Sequence, residues 1–520
     1  MNTSARKGAR DRVSASRDRA RPPRTVRPLR VLMVASEVSP LLKTGGLADA
    51  VAGLSGALTR LGHDVRVLVP GYRRILETSP DLVPEGGFRD PETPEADLLA
   101  TTLPRSGVGA WLLDHPSFGE RGGNPYLDEH GRDYADNDRR FDRLARVAAG
   151  IAGGRSGLDW RPDVVHAHDW HAGLTPVRML LRRVAAACVF TVHNLAYQGL
   201  FPHEALDRLE LPAWLWHPEA LEYYGRLSFM KGGLNFSDLL TTVSPAFARE
   251  VLTPAYGEGL EGVLARRAGE LTGIVNGLDL EEWNPETDPL ITAAFSRRDL
   301  SGKARNRARV REILGLAEEP DKALVAVVGR LADQKGIDLL LGALPHLMRM
   351  PVQVAVLGSG QRIYEQALEN AAAEYPAQLS VTVGYDERLA HELEAGAELL
   401  LMPSRYEPCG LAQMQAMRYG TIPVVRACGG LRDTVVDADA TALAQGTATG
   451  FAFEQATVQA LVGAVRRALE LRREPQAWAA LVDTAMAADF SWRRSAESYA
   501  ALYRDALHQH GIAAGGAARR

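Results

Sequence analysis

A chain of 520 residues, 46% hydrophobic and 24% charged with a net charge of −4, has room for about two to four globular domains and falls outside the highly charged, weakly hydrophobic class that stays unfolded. Its three cysteines, Cys188, Cys409 and Cys428, form no C-x-x-C pair and no disulfide framework, which points to a reducing, cytoplasmic setting, and no apolar run reaches the ~20 residues of a membrane span. Residues 1–30 hold ten Lys/Arg against two acids, a balance of +8 that leaves −12 on the remainder, so the acidic body argues against broad nucleic-acid binding and no membrane partner is expected.

Residues 1–28, rich in Arg, Ser and Pro, have too little apolar surface to fold and read as a disordered basic tail. Val31 to Val34 then form a continuous apolar run of the kind a buried parallel strand shows. A polar bend, VSPLLKTGG, leads into a segment where Leu47, Val51, Leu54, Leu58 and Leu61 recur on one face of a helix. In this strand–loop–helix unit, Gly45 and Gly46 permit close backbone approach, the helix start offers free N–H groups, and Lys43 adds a charge; a phosphate ester suits all three. An ordinary glycine-rich βα turn fits this stretch alone equally well.

Further strand-like runs follow at 64–70, 110–114, 163–169, 187–194 and 238–244, separated mostly by helical patterns, which predicts a parallel sheet wrapped by helices. The polar, aromatic, glycine-rich segment 121–141 has the composition of a binding loop. After LTGIVNGLDLEEWNP a second series begins, with strands at 323–330, 352–360, 379–384, 398–404, 421–427 and 450–453. Two doubly wound Rossmann-like α/β domains are expected, over 29–275 and 276–488, with a hinge near 275–279. A helix over 489–510 carries Trp492, Tyr499 and Tyr503, and 511–520 reads as a second disordered tail. Lys43, Asp169, His193, Arg330, Gly358, Tyr385 and Glu407 each come at or just after a strand end, where a cleft between facing domains would collect them. In HAHDWH, His166 and His168 point to one side of a strand with His171 near, but no acidic or cysteine partner is spaced to complete a zinc site.

The strings KTGGLADA, HAHDWHAGL, TVHNLAYQG, GIVNGLDLEEWNP, GRLADQKGIDLL, SRYEPCGL and DFSW, in this order, resemble the signatures of bacterial glycogen synthases and plant starch synthases over nearly all of the chain beyond the basic tail. The resemblance implies a GT-B fold whose C-terminal helix crosses back to the N-terminal domain. It also implies a retaining glucosyltransferase that moves glucose from ADP-glucose to the non-reducing end of an α-1,4-glucan such as glycogen. ADP-glucose is then a substrate, and no cofactor or metal is required.

By the same resemblance Arg330 and Lys335 clamp the diphosphate, Glu407 steadies the sugar cation, and His193 binds the glucose 6-hydroxyl. Lys43, Gly45, Gly46, Asp49, Gly358, Tyr385, Cys409, Gly410 and Leu411 belong to the donor site, Tyr385 as an adenine stacker and Asp49 near the sugar ring. Glu37, Tyr126, Asn137, Asp169 and Asn194 fall on the acceptor side, and Gly429 and Gly430 shape a turn. Related retaining transferases often carry a second Glu where this chain has Gln415, so a pair of carboxylates for double displacement is not evident. Cys409 has no adjacent base to make it a nucleophile. A UDP-glucose-dependent GT-B transferase with another acceptor, and a non-catalytic glucan-binding homologue, are the rival expectations.

Overall fold

The computed structural model describes residues 27–79, 81–88 and 96–517, so residues 1–26 of the expected basic tail lie outside the described residues. Arg27, also expected in the tail, instead reaches Asp163 at 3.3 Å, and the same carboxylate accepts the Arg30 N–H at 2.8 Å.

Twelve strands precede residue 275: β1 (Arg30–Val34), β2 (Asp64–Pro70), β3 (Val83–Phe88), β4 (Ala96–Thr102), β5 (Gly109–Asp114), β6 (Val164–His168), β7 (Ala187–Val192), β8 (Leu200–Phe201), β9 (Glu222–Tyr223), β10 (Arg226–Ser228), β11 (Leu239–Thr242) and β12 (Leu271–Gly273). Nine of them form one sheet in the order β12-β11-β7-β6-β1-β2-β5-β4-β3, and β8-β10-β9 form a small sheet of their own. The large sheet is parallel from β12 to β5, but β4 and β3 are antiparallel at its edge, a departure from the expected all-parallel sheet. The edge tolerates what its centre would not: β3 reads VPEGGF, with a proline, two glycines and a register shift between Pro84 and Gly86.

The second sheet is wholly parallel and holds β13 (Ala323–Val328), β14 (Val352–Gly358), β15 (Leu379–Val383), β16 (Leu399–Met402), β17 (Ile422–Arg426) and β18 (Phe451–Phe453) in the order β15-β14-β13-β16-β17-β18. Counted from β13 this is 3-2-1-4-5-6, the order of dinucleotide-binding folds, which reverses between β13 and β16. In the first sheet the reversal falls between β1 and β6, because β1 pairs with β2 on one side and β6 on the other. Loops leaving those four strands therefore open into crevices at strand carboxyl ends, and both known geometries together make the two-domain GT-B arrangement.

Continuous apolar runs occur in the central strands because helices cover both faces: Val31, Leu32, Met33 and Val34 are fully buried. On the Gly46–Arg60 helix, Leu47, Val51, Leu54 and Leu58 are buried, each worth roughly 1.5–3 kcal/mol against exposure. Leu61, expected on that face, is the C-cap and turns outward, since the chain leaves the helix there.

Each sheet has its own core, and the last helix belongs to the first. Trp492, Ala496, Tyr499, Leu502, Tyr503 and Ala506 pack with β1, β6 and β7, while the core around β13–β18 takes none of them. The chain thus crosses between domains twice, and the crossings lie together: Leu278 N donates to Phe490 O at 2.7 Å and Ser495 Oγ to Val275 O at 2.7 Å. This helix runs Trp492–Ala517, beyond residue 510 where a tail was expected, through an alanine-rich stretch whose propensity outlasts its glycines. Among the described residues no helix is long and apolar enough to cross a membrane.

Candidate active site

At the first reversal, the loop after β1 supplies Glu37, Lys43 and the glycines. Glu37 is buried and accepts the Thr44 N–H at 2.5 Å, and burial pushes its carboxyl up to about 7. The Lys43 charge comes paired with a carboxylate: its Nζ lies 2.8 Å from Asp49. Gly45 is extended (φ −162°) and no side chain caps the helix that starts at Gly46. A Cβ on Gly45 would meet nothing within 4 Å, and one on Gly46 only Leu411 Cδ1 of the other domain, at 3.9 Å. Neither backbone strain nor protein packing demands glycine here, and the space beside both residues is open.

Asp169 follows β6 with φ 55° and ψ −179°, a conformation costly for any residue but glycine. Its Oδ1 accepts the His193 N–H at 2.7 Å, and burial pushes its carboxyl up to about 7. His193 Nε2 lies 3.0 Å from His168 Nδ1, and burial lowers its pKa to about 3, so the ring is neutral. Both ring nitrogens of His166 are engaged, Nδ1 by Tyr503 Oη at 2.8 Å and Nε2 by Thr191 Oγ1 at 2.6 Å. Tyr126 bonds Ser36 through its hydroxyl at 2.9 Å and stacks on His171.

Asn137 is buried and turns inward. Its Nδ2 donates to Tyr126 O at 3.0 Å and its Oδ1 accepts from Arg140 at 2.7 Å, because residue 137 already begins the buried Asn137–Ala152 helix. Asn194 accepts the Ala196 N–H at 3.1 Å and borders a separate 140 Å³ cavity with Arg405 and Tyr406.

At the second reversal, Arg330 and Lys335 follow β13 and Glu407 follows β16. Arg330 contacts Tyr197 Oη at 3.1 Å across the cleft and Gln334 Oε1 at 2.7 Å. Lys335 Nζ lies 2.6 Å from Glu407 Oε2, which also accepts Ser404 Oγ at 3.0 Å. The two cations expected to clamp the diphosphate are held differently, one reaching across the domains and one tied to the buried carboxylate.

The N–H groups of Cys409, Gly410 and Leu411 donate to no protein acceptor among the described residues, and the Ala412–Arg418 helix that follows has no side-chain cap. Gly410 sits at φ 74°, which favours glycine. The Cys409 thiol is buried and pushed up to about 12, far from a nucleophile's range. Gly429 and Gly430 press on this loop: a Cβ on either would stand 2.0 Å from the carbonyl oxygens of Glu407 and Cys409 respectively, and Gly430 N donates to Glu407 O at 2.9 Å. Gly358, at the border of the cleft, meets the same kind of crowding: a Cβ there would stand 1.9 Å from Gly329 O.

Between the domains lies a cleft of about 1360 Å³ bordered by Lys43, Asp49, Arg330, Gly358, Tyr385 and Leu411. The Tyr385 ring is 78% exposed, free to stack on a planar ligand. Glu37, Tyr126, Asn137, Asp169, His193, Lys335, Glu407, Cys409 and Gly410 stand outside that lining.

Residues 30–266 match the starch synthase catalytic domain family and residues 310–480 the glycosyl transferases group 1 family. Glycogen synthase 1 of Methylococcus capsulatus is 50% identical over 489 residues, covering 92% of this chain and 97% of its own. The chain belongs to the glycogen synthase family. It is a glycosyltransferase, and its reaction is glucosyl transfer in glycogen synthesis. Glycogen synthase of Thioalkalivibrio sulfidiphilus is 51% identical over 480 residues, covering 92% of this chain and 99% of that one. Among solved structures, the catalytic domain of starch synthase IV from Arabidopsis thaliana, bound to ADP and acarbose, superposes with a TM-score of 0.83 at 32% identity, over 93% of this chain and all of that one.

Several residues of this glycogen synthase fold that touch the site escape a reading by sequence: Tyr197 and Gln334 on Arg330, Ser404 on Glu407 and His168 on His193. The signal was there, since each lies inside a motif string that carries the resemblance.

Proposed function

We propose that the chain transfers glucose from ADP-glucose to the non-reducing end of an α-1,4-glucan with retention of configuration, releasing ADP, in the cytoplasm. The observation that carries this reading is the 2.6 Å pair of Lys335 and Glu407 at the reversal point of the donor-side sheet. Such a pair offers a cation suited to a leaving phosphate beside a carboxylate suited to a sugar cation. The starch synthase IV structure holds ADP and acarbose, in keeping with a nucleotide and a glucan sharing this cleft.

As the bond from glucose C1 to the diphosphate oxygen lengthens, negative charge gathers on the diphosphate. Arg330, Lys335 and the unpaired N–H groups of residues 409–411 are the donors that meet it. The glucan 4-hydroxyl attacks C1 from the face the diphosphate leaves, and its proton passes to a diphosphate oxygen, so atoms and charge balance without a protein base. His193 is neutral with Nε2 at His168, which suits a hydrogen bond to the glucose 6-hydroxyl and not proton abstraction. Two fixed cations take the part a divalent metal plays elsewhere, so no cofactor or metal is required.

The test is nucleoside diphosphate release by the purified chain, with ADP-glucose or UDP-glucose, with and without glycogen, and with and without EDTA. ADP release that needs glycogen and ignores EDTA is expected. Preference for UDP-glucose would overturn the donor, and EDTA sensitivity the metal-free mechanism.

A further inference from the structure

On the wall of the nucleotide cleft, one ligating atom each of Glu282, Glu387 and His391 lies within 4.8 Å of the other two. Glu387 and His391 stand four residues apart on the Glu387–Gly396 helix and so share a face, and Glu282 comes from the loop after the hinge. Acidic neighbours alone would mean little, but the histidine adds an independent observation. His391 is 2% exposed, and its Nε2 is buried without a hydrogen-bond partner.

The other ring nitrogen explains which form it takes. Nδ1 lies 2.7 Å from Asp288 Oδ2, which also accepts Tyr419 Oη at 2.6 Å, while Asp288 Oδ1 accepts the Leu290 N–H at 2.8 Å. A carboxylate so surrounded by donors is an acceptor, so Nδ1 carries a proton and Nε2 is the nitrogen left for a cation. Trp283 stacks on the ring at 4.0 Å and 14°, fixing its plane. A carboxylate that orients one imidazole nitrogen and leaves the other unpartnered, with two further carboxylates close to the ring, is an arrangement metal-binding histidines use.

We propose that Glu282, Glu387 and His391 form a binding site for a divalent transition-metal cation of the Zn²⁺ class, oriented by Asp288. A nitrogen and two carboxylate oxygens suit Zn²⁺ better than Mg²⁺. A point common to three atoms no more than 4.8 Å apart lies at most about 2.8 Å from each. Reaching the 2.0–2.2 Å of a zinc ligand therefore asks each for about 0.7 Å, within the swing of a glutamate side chain. Arg105 takes one oxygen of Glu282, Oε2 at 2.6 Å, and leaves the other for the cation. The site is separate from the Arg330 and Lys335 cations that serve the phosphates, so the cation is not a participant in transfer; it sits in the donor cleft beside the cross-domain Arg105–Glu282 pair.

The experiment is calorimetric titration of ZnCl₂ into the metal-free full chain and into Glu387→Gln, whose side chain is exposed so that the fold is not at stake. Saturable one-to-one binding by the parent, weakened at least tenfold in Glu387→Gln, is expected. Absence of such binding in the parent, or a Kd in Glu387→Gln within tenfold of it, overturns the proposal, whatever the chain does with glucose donors.

Discussion

Asp169 combines an unfavourable backbone, 8% exposure and a carboxyl pushed from its ordinary range up to about 7 by burial. In the unfolded chain it loses its proton near pH 4. Between about pH 4 and 7 the folded state therefore holds a proton the unfolded state has released, and native stability falls as pH rises through that window. Asp169→Asn keeps an oxygen for the His193 N–H and removes the buried charge. It should be more stable than the parent at pH 8, by up to about 4 kcal/mol, with the gain vanishing at pH 4. Urea unfolding at the two pH values measures this; equal stability at pH 8 would show that the buried charge costs nothing.

Arg330 and Lys335 differ at the same scale. Removing either cation should lower kcat/KM on the order of 10–100-fold. Lys335→Ala should also lower stability by about 1–3 kcal/mol, because buried Glu407 keeps only Ser404 as a side-chain partner. Arg330→Ala should leave stability within about 0.5 kcal/mol, since Arg330 and its cross-domain partner Tyr197 are exposed and no carboxylate is left unpaired. Wild-type turnover in either variant would remove that residue from the leaving-group site, and matched melting curves would contradict the difference in how they are held.

At the scale of elements, the C-terminal helix is locked at Trp492, wedged between two glycines from different parts of the chain. A Cβ on Gly53 would stand 2.0 Å from the indole Nε1, and one on Gly277 2.5 Å from the Trp492 Cα. Indole atoms can swing aside; backbone cannot. Gly277→Ala should therefore lower the melting temperature more than Gly53→Ala, by several degrees in a thermal scan, and the reverse order would mean that the indole is the more rigid side. Helix and strand placement was largely legible because the central strands are continuous apolar runs and the Gly46–Arg60 helix has a clean apolar face. The edge strands β3 and β4 were not, since VPEGGF has no alternation, and β8 to β10 are two or three residues long within polar aromatic sequence. For the site, motifs told which loops gather but not which atoms meet: nothing in the spacing distinguishes Asn137, turned inward, from Lys43, on the cleft, or reveals that Lys335 belongs to Glu407.

The whole molecule is joined unevenly. On one side, Ser244 Oγ donates to Pro408 O at 2.7 Å, Ala246 N to Asp433 Oδ2 at 2.7 Å and Gly429 N to Glu250 Oε1 at 2.9 Å, a hydrogen-bonded seam with buried members. Contacts across the cleft include the Arg105–Glu282 and Arg330–Tyr197 pairs, at 2.6 and 3.1 Å between exposed or half-exposed side chains. Exposed pairs of this kind contribute about 0–1 kcal/mol each, too little to hold two domains shut. A nucleoside diphosphate that meets the glycine loop on one domain and Arg330 on the other gains both sets of contacts only when the domains are together, so it favours that form by its full differential affinity. Saturating ADP should therefore reduce the radius of gyration in small-angle scattering, the seam acting as the pivot and the cleft as the jaw. Superimposable profiles with and without ADP would mean that the free chain already rests closed, and the weak cross-cleft pairs would then be holding more than exposed pairs are known to hold.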